Sequence, residues 1–192
     1  MFYAGIDPSI TNTGIVLLAE DGSLAGAVNS RKYDDKTLDG VLRYARICDC
    51  LCNALKATTD RNFLAGYEDY SFGSTHRAFS LAEFGGILKK SLYDAGARGI
   101  SLFAPAWNKK FATGNGTAGK EQMMEQAVAE CPQLKEACPG KELTSDVCDA
   151  YFLAKAAWYL GTPAEAVVKN ESNRARLRPR LEMVKEWKTR EK

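Results

Sequence analysis

The chain reads as an α/β domain built on a mixed five-stranded sheet flanked by helices. Three observations predict this. Strand-like segments follow one another through the first 30 residues, linked only by the turns PSITN and Asp21-Gly22, and links this tight join antiparallel neighbours. Two later strand-like segments alternate with helical patterns. The resulting order is βββαβαβα with further helices, which suits one sheet covered on both faces.

Each element has its own signature. Residues 2–7 (FYAGID) form a short apolar strand, residues 13–20 (TGIVLLAE) a second, and residues 24–30 a third beyond the Asp21-Gly22 hairpin. From 36 to 57, Leu38, Val41, Leu42, Ala45 and Cys52 recur at helical spacing. Residues 63–68 (FLAGYE) give a fourth strand, and 76–95 a long helix. That helix contains Gly85-Gly86, each costing about 1 kcal/mol against Ala, so the pair points to close helix contact. A fifth strand at 99–104 stops at Pro105. A short helix around 107–112, a Gly-rich loop at 114–119 and a helix over 120–130 follow. Residues 131–143 hold two prolines and read as loop. The apolar helix 145–160 ends at Gly161 and Pro163, and the polar helical tail is expected to break near Pro179.

A length of 192 residues fits one domain with a sizeable core. Residues 1–162 read as that domain and 163–192 as a basic helical tail. The net charge is only +2, but the tail carries nine Lys or Arg against five Asp or Glu. A basic tail suits nucleic acid or a solvated helix face. No apolar run approaches the ~18 residues of a membrane span, and no basic leader precedes the first strand. The six cysteines lack paired CxxC spacing, which argues against structural zinc. Cys48 and Cys52 share a helix face and Cys50 points elsewhere. Reduced thiols and a cytoplasmic location follow as expectations.

Four carboxylates stand where structure alone explains them poorly. Asp7 ends FYAGID, Glu68 ends FLAGYE, and Asp146 and Asp149 open an otherwise apolar helix. The last two lie at i and i+3 on one helix face, in a first turn that also suits acids through the helix dipole. If the fold joins these points, they make an acidic pocket that requires divalent metal. At an effective dielectric of ~20, two carboxylates 4 Å apart repel by ~4 kcal/mol. Two divalent ions ~3.5–4 Å apart would neutralise them and suit in-line displacement at phosphorus.

Other motifs frame that pocket. In GIDPSITNTG (5–14), the hydroxyls of Ser9, Thr11 and Thr13 can face phosphate; the competing reading is an Asp-Pro hairpin turn. The loop GNGTAGK (114–120) matches both G-x-G-x-x-G and G-x-x-x-x-G-K, yet AWNKKFAT before it makes a poor strand. Glu121 also stands where a phosphate loop needs Ser or Thr. The better reading is a flexible loop presenting Lys109, Lys110 and Lys120, with Asn115, to a phosphate backbone. No nucleotide cofactor is expected. In YEDYSF (67–72), Tyr70 and Phe72 can stack on unpaired bases, worth ~1–3 kcal/mol per base, or pack in the core. His76 most simply decorates the next helix.

The ordered set GIDPSITNTG, YEDYSF, SLAEFGGILKKSL, NKKFATGNGTAGKEQM and SDVCDAYFLAKA resembles the RuvC Holliday-junction resolvases, from about residue 3 to 160. The resemblance implies an RNase H-like fold and a homodimer that cuts four-way DNA junctions with Mg²⁺ or Mn²⁺, two ions per site. By the same resemblance Asp7, Glu68, Asp146 and Asp149 look like the catalytic metal ligands. Lys109 and Lys120 look like the bases that assist at the scissile phosphate, and Phe72 or Tyr70 like an aromatic near the junction centre. Three features depart from the family pattern: Ser9 after Asp-Pro, Asp69 after Glu68, and the long basic tail. They suggest a phage or mobile-element version with a broader range of branched substrates. The helix 76–95, with Phe79, Leu81, Phe84, Ile87 and Leu88, is the expected dimer face, against the alternative of core packing. A non-catalytic binder of branched DNA and an RNase H-like enzyme acting on structured RNA are the rival readings. An ATP-binding actin-like protein ranks last.

Overall fold

Five strands form one sheet in the order β3-β2-β1-β4-β5 in the computed structural model, which describes residues 1–59, 62–69 and 78–190. The strands are β1 (Phe2–Asp7), β2 (Gly14–Leu18), β3 (Leu24–Asn29), β4 (Phe63–Glu68) and β5 (Ala97–Phe103). β1 pairs antiparallel with β2 and parallel with β4; β2–β3 is antiparallel and β4–β5 parallel. The mixed sheet, its three-strand meander and the flanking helices match the expectation.

The helices are α1 (Gly40–Thr59), α2 (Ala78–Asp94), α3 (Pro105–Thr113), α4 (Lys120–Glu130), α5 (Leu134–Ala137), α6 (Ser145–Gly161), α7 (Ala164–Asn170) and α8 (Arg174–Arg190). Strand alternation sends successive side chains to opposite faces. Ala4, Ile6, Ile15, Leu17, Phe63 and Ala65 meet Ile47, Cys48 and Leu51 of α1 and Phe84, Leu88 and Leu92 of α2. On the other face Tyr3, Val16, Leu18 and Phe103 meet α6, with α3, α4 and α8 packed behind it. Cys48 and Cys52 are buried and Cys50 is partly exposed, as the helical period requires.

Helix α6 lies directly on the sheet. A Cβ on Gly5 would fall 1.8 Å from the Ala150 carbonyl oxygen and 2.2 Å from the Ala154 nitrogen. One on Gly14 would fall 2.3 Å from the Asp146 carbonyl oxygen. Only hydrogen fits at either point, so Gly5 sets how closely the middle of α6 approaches β1, and Gly14 how closely its first turn approaches the start of β2.

Several boundaries differ from the sequence reading. β2 stops at Leu18 because the hairpin begins earlier: Ala19 N–H donates to Ser23 O at 2.9 Å and Gly22 N–H to Ala19 O at 3.0 Å. α1 begins at Gly40 rather than 36. The Asp35 carboxylate accepts the Thr37 N–H and hydroxyl, at 3.0 and 2.6 Å, and holds that stretch as a turn. β5 starts at Ala97, and the 131–143 segment contains α5 and a 3₁₀ turn at Gly140–Glu142. Within α2, Gly86 faces open space. Phe84 and Leu88 are core residues, which leaves Phe79 as the exposed apolar side chain of the expected dimer face.

The break expected at Pro179 does not occur, because α8 runs through it. An internal proline costs about 3 kcal/mol through a lost hydrogen bond and a clash with the preceding turn. Tertiary packing offsets that cost. Met183 and Val184 are buried, the Trp187 ring lies tilted against Phe103 with centroids 5.2 Å apart, and Arg180 is fully buried. Arg180 Nη2 donates to Glu130 Oε1 at 2.7 Å and Nη1 to Glu130 Oε2 at 2.9 Å. Its Nε and Nη2 also donate to the carbonyls of Phe111 and Ala112, at 3.0 and 3.2 Å, at the end of α3. Lys155 joins the network through Glu130 and Glu171, at 2.6 and 2.7 Å. Among the described residues no helix is long and apolar enough to cross a membrane.

Candidate active site

Asp7 and Glu68 are the last residues of two adjacent parallel strands, with Ile6 paired to Tyr67, so both stand at one end of the sheet. Gly14 pairs with Asp7 from the other side. Because Gly14 has no side chain, the Asp146 backbone rests on it. Thr144 caps α6 by accepting the Val147 N–H at 3.4 Å, and Asn29 Nδ2 donates to its hydroxyl at 3.0 Å. The end of β3 thus fixes the start of α6, and the four acids separated by up to 142 positions share one neighbourhood.

Their electrostatics are in keeping with this placement. Burial pushes the Asp7 carboxyl well above its usual range, and the charges of Glu68, Asp149 and Asp146 push the same way against Lys120. Burial, then Asp149 and Asp146, raise Glu68 to about 7, opposed by Lys109. Burial and Asp146 raise Asp149 to about 6 against Lys109 and Lys120. The lysines do not neutralise the pocket.

The carboxylates are close without forming a ready cage. Among the described residues no group of three or more His, Cys, Asp or Glu side chains is drawn together tightly enough to hold an ion. Asp146 is held by neutral donors: Asn12 Nδ2 at 2.6 Å and the Ser145 hydroxyl at 3.1 Å. Asp149 Oδ1 is buried without a hydrogen-bond partner, as are Asn12 Oδ1 and Asn108 Oδ1. An all-oxygen donor set with an orphaned anionic oxygen and excess negative charge fits a hard divalent cation.

The remaining expected residues sort clearly. Lys109 is half-buried on α3, and Lys120 opens α4 on the surface; both act on the carboxylates through their charge. Lys110 is exposed beside them. Asn115 is exposed, and its Oδ1 accepts the Thr117 N–H at 3.0 Å, so it organises the Gly-rich loop. A helix, not a strand, precedes that loop, which removes the context a phosphate loop requires. Thr11 is exposed and Ser9 partly buried. Thr13 corrects the sequence reading. It is fully buried, its hydroxyl donates to Ser9 O at 2.6 Å, and its N–H donates to Ser30 Oγ at 2.8 Å, so it shapes the turn and cannot reach a substrate. Tyr70, Phe72 and His76 lie outside the described residues. Asn12 and Asn108, which hold Asp146 and the Asp149 carbonyl (3.2 Å), carried no signal in the sequence.

The raised carboxyls have a thermodynamic consequence. A group whose folded pKa exceeds its unfolded value of ~4 binds more protons when folded, so it favours folding at low pH. That contribution is lost as pH rises through the folded values of about 6 and 7. In chelator, thermal unfolding should occur at lower temperature at pH 8 than at pH 5.5. Mg²⁺ at pH 8 should restore the difference. A melting temperature that rises steadily over this range in chelator would contradict the electrostatic description.

No family model matches the chain. Over 178 residues it is 34% identical to the crossover junction endodeoxyribonuclease RuvC of Anaeromyxobacter dehalogenans strain 2CP-1, covering 91% of this chain and 89% of that protein. The protein of the same name from strain 2CP-C is 33% identical over 177 residues, with the same coverage. Among solved structures, Thermus thermophilus RuvC superposes with a TM-score of 0.60 at 22% identity, covering 83% of this chain and 95% of that one. The T. thermophilus RuvC complex with a Holliday junction substrate gives 0.64 at 22% identity, covering 83% and 94%.

Proposed function

The chain belongs to the RuvC family of crossover junction endodeoxyribonucleases, and on that premise we propose that it is a metal-dependent endonuclease that resolves four-way DNA junctions. The observation that carries the reading is the meeting of four half-buried carboxylates at one sheet end, within reach of the charges of Lys109 and Lys120.

Asp7, Glu68, Asp146 and Asp149 would hold Mg²⁺, or Mn²⁺ in its place, as two ions per site. Bound there, the ions supply the positive charge and Lewis acidity that phosphodiester hydrolysis needs. The residues do the rest. Lys109 and Lys120 offset the charge that grows on the phosphoryl oxygens. Asn12 and Ser145 orient Asp146, and Asn108 ties the α6 backbone at Asp149 to α3. A water oxygen bonds to phosphorus, the bond from phosphorus to the 3′ oxygen breaks, and that oxygen takes a proton. The products are a 5′ phosphate and a 3′ hydroxyl.

Thr11, Ser9, Lys110 and Asn115 would serve as strand contacts, with Tyr70 and Phe72 as stacking residues. Residues 1–162 carry the chemistry and 163–192 brace it. A homodimer, with exposed Phe79 of α2 near the two-fold axis, would place two centres for paired nicks across a junction; no nucleotide is required. Such an enzyme would work in the cytoplasm of a bacterial cell or phage-infected host.

The test compares a labelled four-way junction, flap DNA, linear duplex and structured RNA with Mg²⁺. The junction should be cut fastest and the duplex least. Preferential cutting of RNA would make this an RNA-processing nuclease, and tight binding of the junction without cutting a non-catalytic binder. A monomer by light scattering at micromolar concentration would remove the dimer.

A further inference from the structure

The geometry points to a phosphate subsite on the β3 side of the carboxylates: a pocket formed by Thr11, Asn12, Arg31, Lys36 and Arg43 around Asp34, which seats a backbone phosphate of the nucleic-acid strand crossing the site. This inference rests on the proposed junction-cleaving function.

Topology puts the pocket where a strand would pass. β3 runs antiparallel to β2, so its last residue, Asn29, pairs with Gly14, which on its other edge pairs with Asp7. With strands ~4.8 Å apart, Asn29 lies ~10 Å from Asp7. That is about three nucleotides along a strand at ~3.4 Å each. The 3₁₀ turn Ser30–Tyr33 follows at once and is fastened to the site turn: Ser30 N–H donates to Thr13 O at 2.9 Å, and Thr13 N–H to Ser30 Oγ at 2.8 Å. The pocket also shares Asn12 with the site, since the same amide holds Asp146 at 2.6 Å. Lys109 and Lys120 bank the carboxylates from α3 and α4, whereas Arg31 and Lys36 approach from β3.

Charge and shape suit an anion. The segment 30–46 carries five Lys or Arg against three Asp. Two of those acids are already engaged. Asp34 accepts a two-pronged bond from Arg43, with Nε to Oδ1 at 2.6 Å and Nη2 to Oδ2 at 2.8 Å. Asp35 is bonded by Thr37. Asp34 therefore orients the Arg43 guanidinium, and Arg31 and Lys36 supply the uncompensated positive charge. Thr11 and Asn12 provide neutral polar groups at the wall of a solvent-open pocket of about 420 Å³.

The experiment measures binding of a labelled four-way junction against KCl concentration, with Asp7→Asn throughout to stop cutting. Each phosphate contact contributes ~0.9 to the slope of log affinity against log salt. Adding Arg31→Ala and Lys36→Ala should flatten the slope by ~1 and weaken binding about 3–10-fold at low salt. The charge-keeping pair Arg31→Lys and Lys36→Arg should restore the slope. Lys169→Ala, exposed on α7, should leave slope and affinity unchanged. Equal slopes and affinities in the alanine pair and its parent overturn the subsite. A parent that does not bind the junction at all overturns the junction-cleaving function instead, and the subsite with it.

Discussion

Replacing Asp7 with asparagine is expected to reduce junction cleavage by at least ~10²–10³-fold, the range for removing one preorganised electrostatic group from an active site, while junction binding persists. Asp7 ends the central strand and feels the charges of all three other acids. The amide is nearly isosteric, so the backbone of β1 and the contact between Gly5 and α6 should survive. What changes is the number of anionic oxygens available to a cation. Stability should move the opposite way: at pH 8 in chelator the variant should melt above the wild type, because one buried, like-charged group has been neutralised. Single-turnover cleavage and thermal unfolding on the same preparation check both halves. Cleavage undiminished in the variant would remove Asp7 from the chemistry. Lower stability at pH 8 would show that its carboxylate is satisfied in the fold.

The second large effect is on folding. Arg180→Met should destabilise the protein by ~3–5 kcal/mol, as expected when one member of a buried charge network is deleted. Burial pushes Glu130 up, but Arg180 and Lys155 outweigh it and hold the carboxyl at about 2. Burial likewise raises Glu171, and Lys155, Tyr159 and Arg180 hold it below its usual range. Without Arg180, Lys155 is left as the ion-pair partner of two buried carboxylates, the Ala112 carbonyl loses its donor, and the Phe111 carbonyl keeps only the longer bond from Arg176 at 3.3 Å. For a chain of this size the melting temperature should fall by ~6–20 °C. Arg180→Lys should recover only part of it, because an ammonium cannot reproduce the fork to Glu130. Urea unfolding at pH 7 measures the difference, and a loss under ~1 kcal/mol would show the network to be dispensable. The sign with pH is opposite to that of the active site. The lowered Glu130 contributes stability above the ordinary carboxylate range and loses it as pH falls towards about 2.

The sheet was legible because FYAGID and FLAGYE are apolar runs that each stop at a carboxylate, and because Asp21-Gly22 marks a hairpin. α8 was misread because Pro179 is a local signal and its compensation is not. Arg180 is secured by Glu130, 50 positions away, and by the end of α3. The start of α1 was misread because one side chain, Asp35, turns a helical pattern into a bend.

In the site, Asp7, Glu68 and Asp149 were legible as acids that an apolar neighbourhood would not otherwise accept. Asn12 and Asn108 were not, since a neutral amide leaves no mark in composition, periodicity or charge. Thr13 looked like a phosphate contact because a hydroxyl in a turn can face either way, and here it faces Ser9. Arg31 and Lys36 were equally silent. They gain meaning only when β3 is seen to end beside Asp7.

The most direct measurement follows cutting of a labelled immobile four-way junction while Mg²⁺ is raised from chelator, with linear duplex in parallel. Junction cleavage that is absent in chelator, appears with Mg²⁺ and leaves 5′ phosphate ends, with the duplex spared, is the predicted result. Cutting that persists in chelator, or a junction left whole at saturating Mg²⁺ and Mn²⁺, would contradict it.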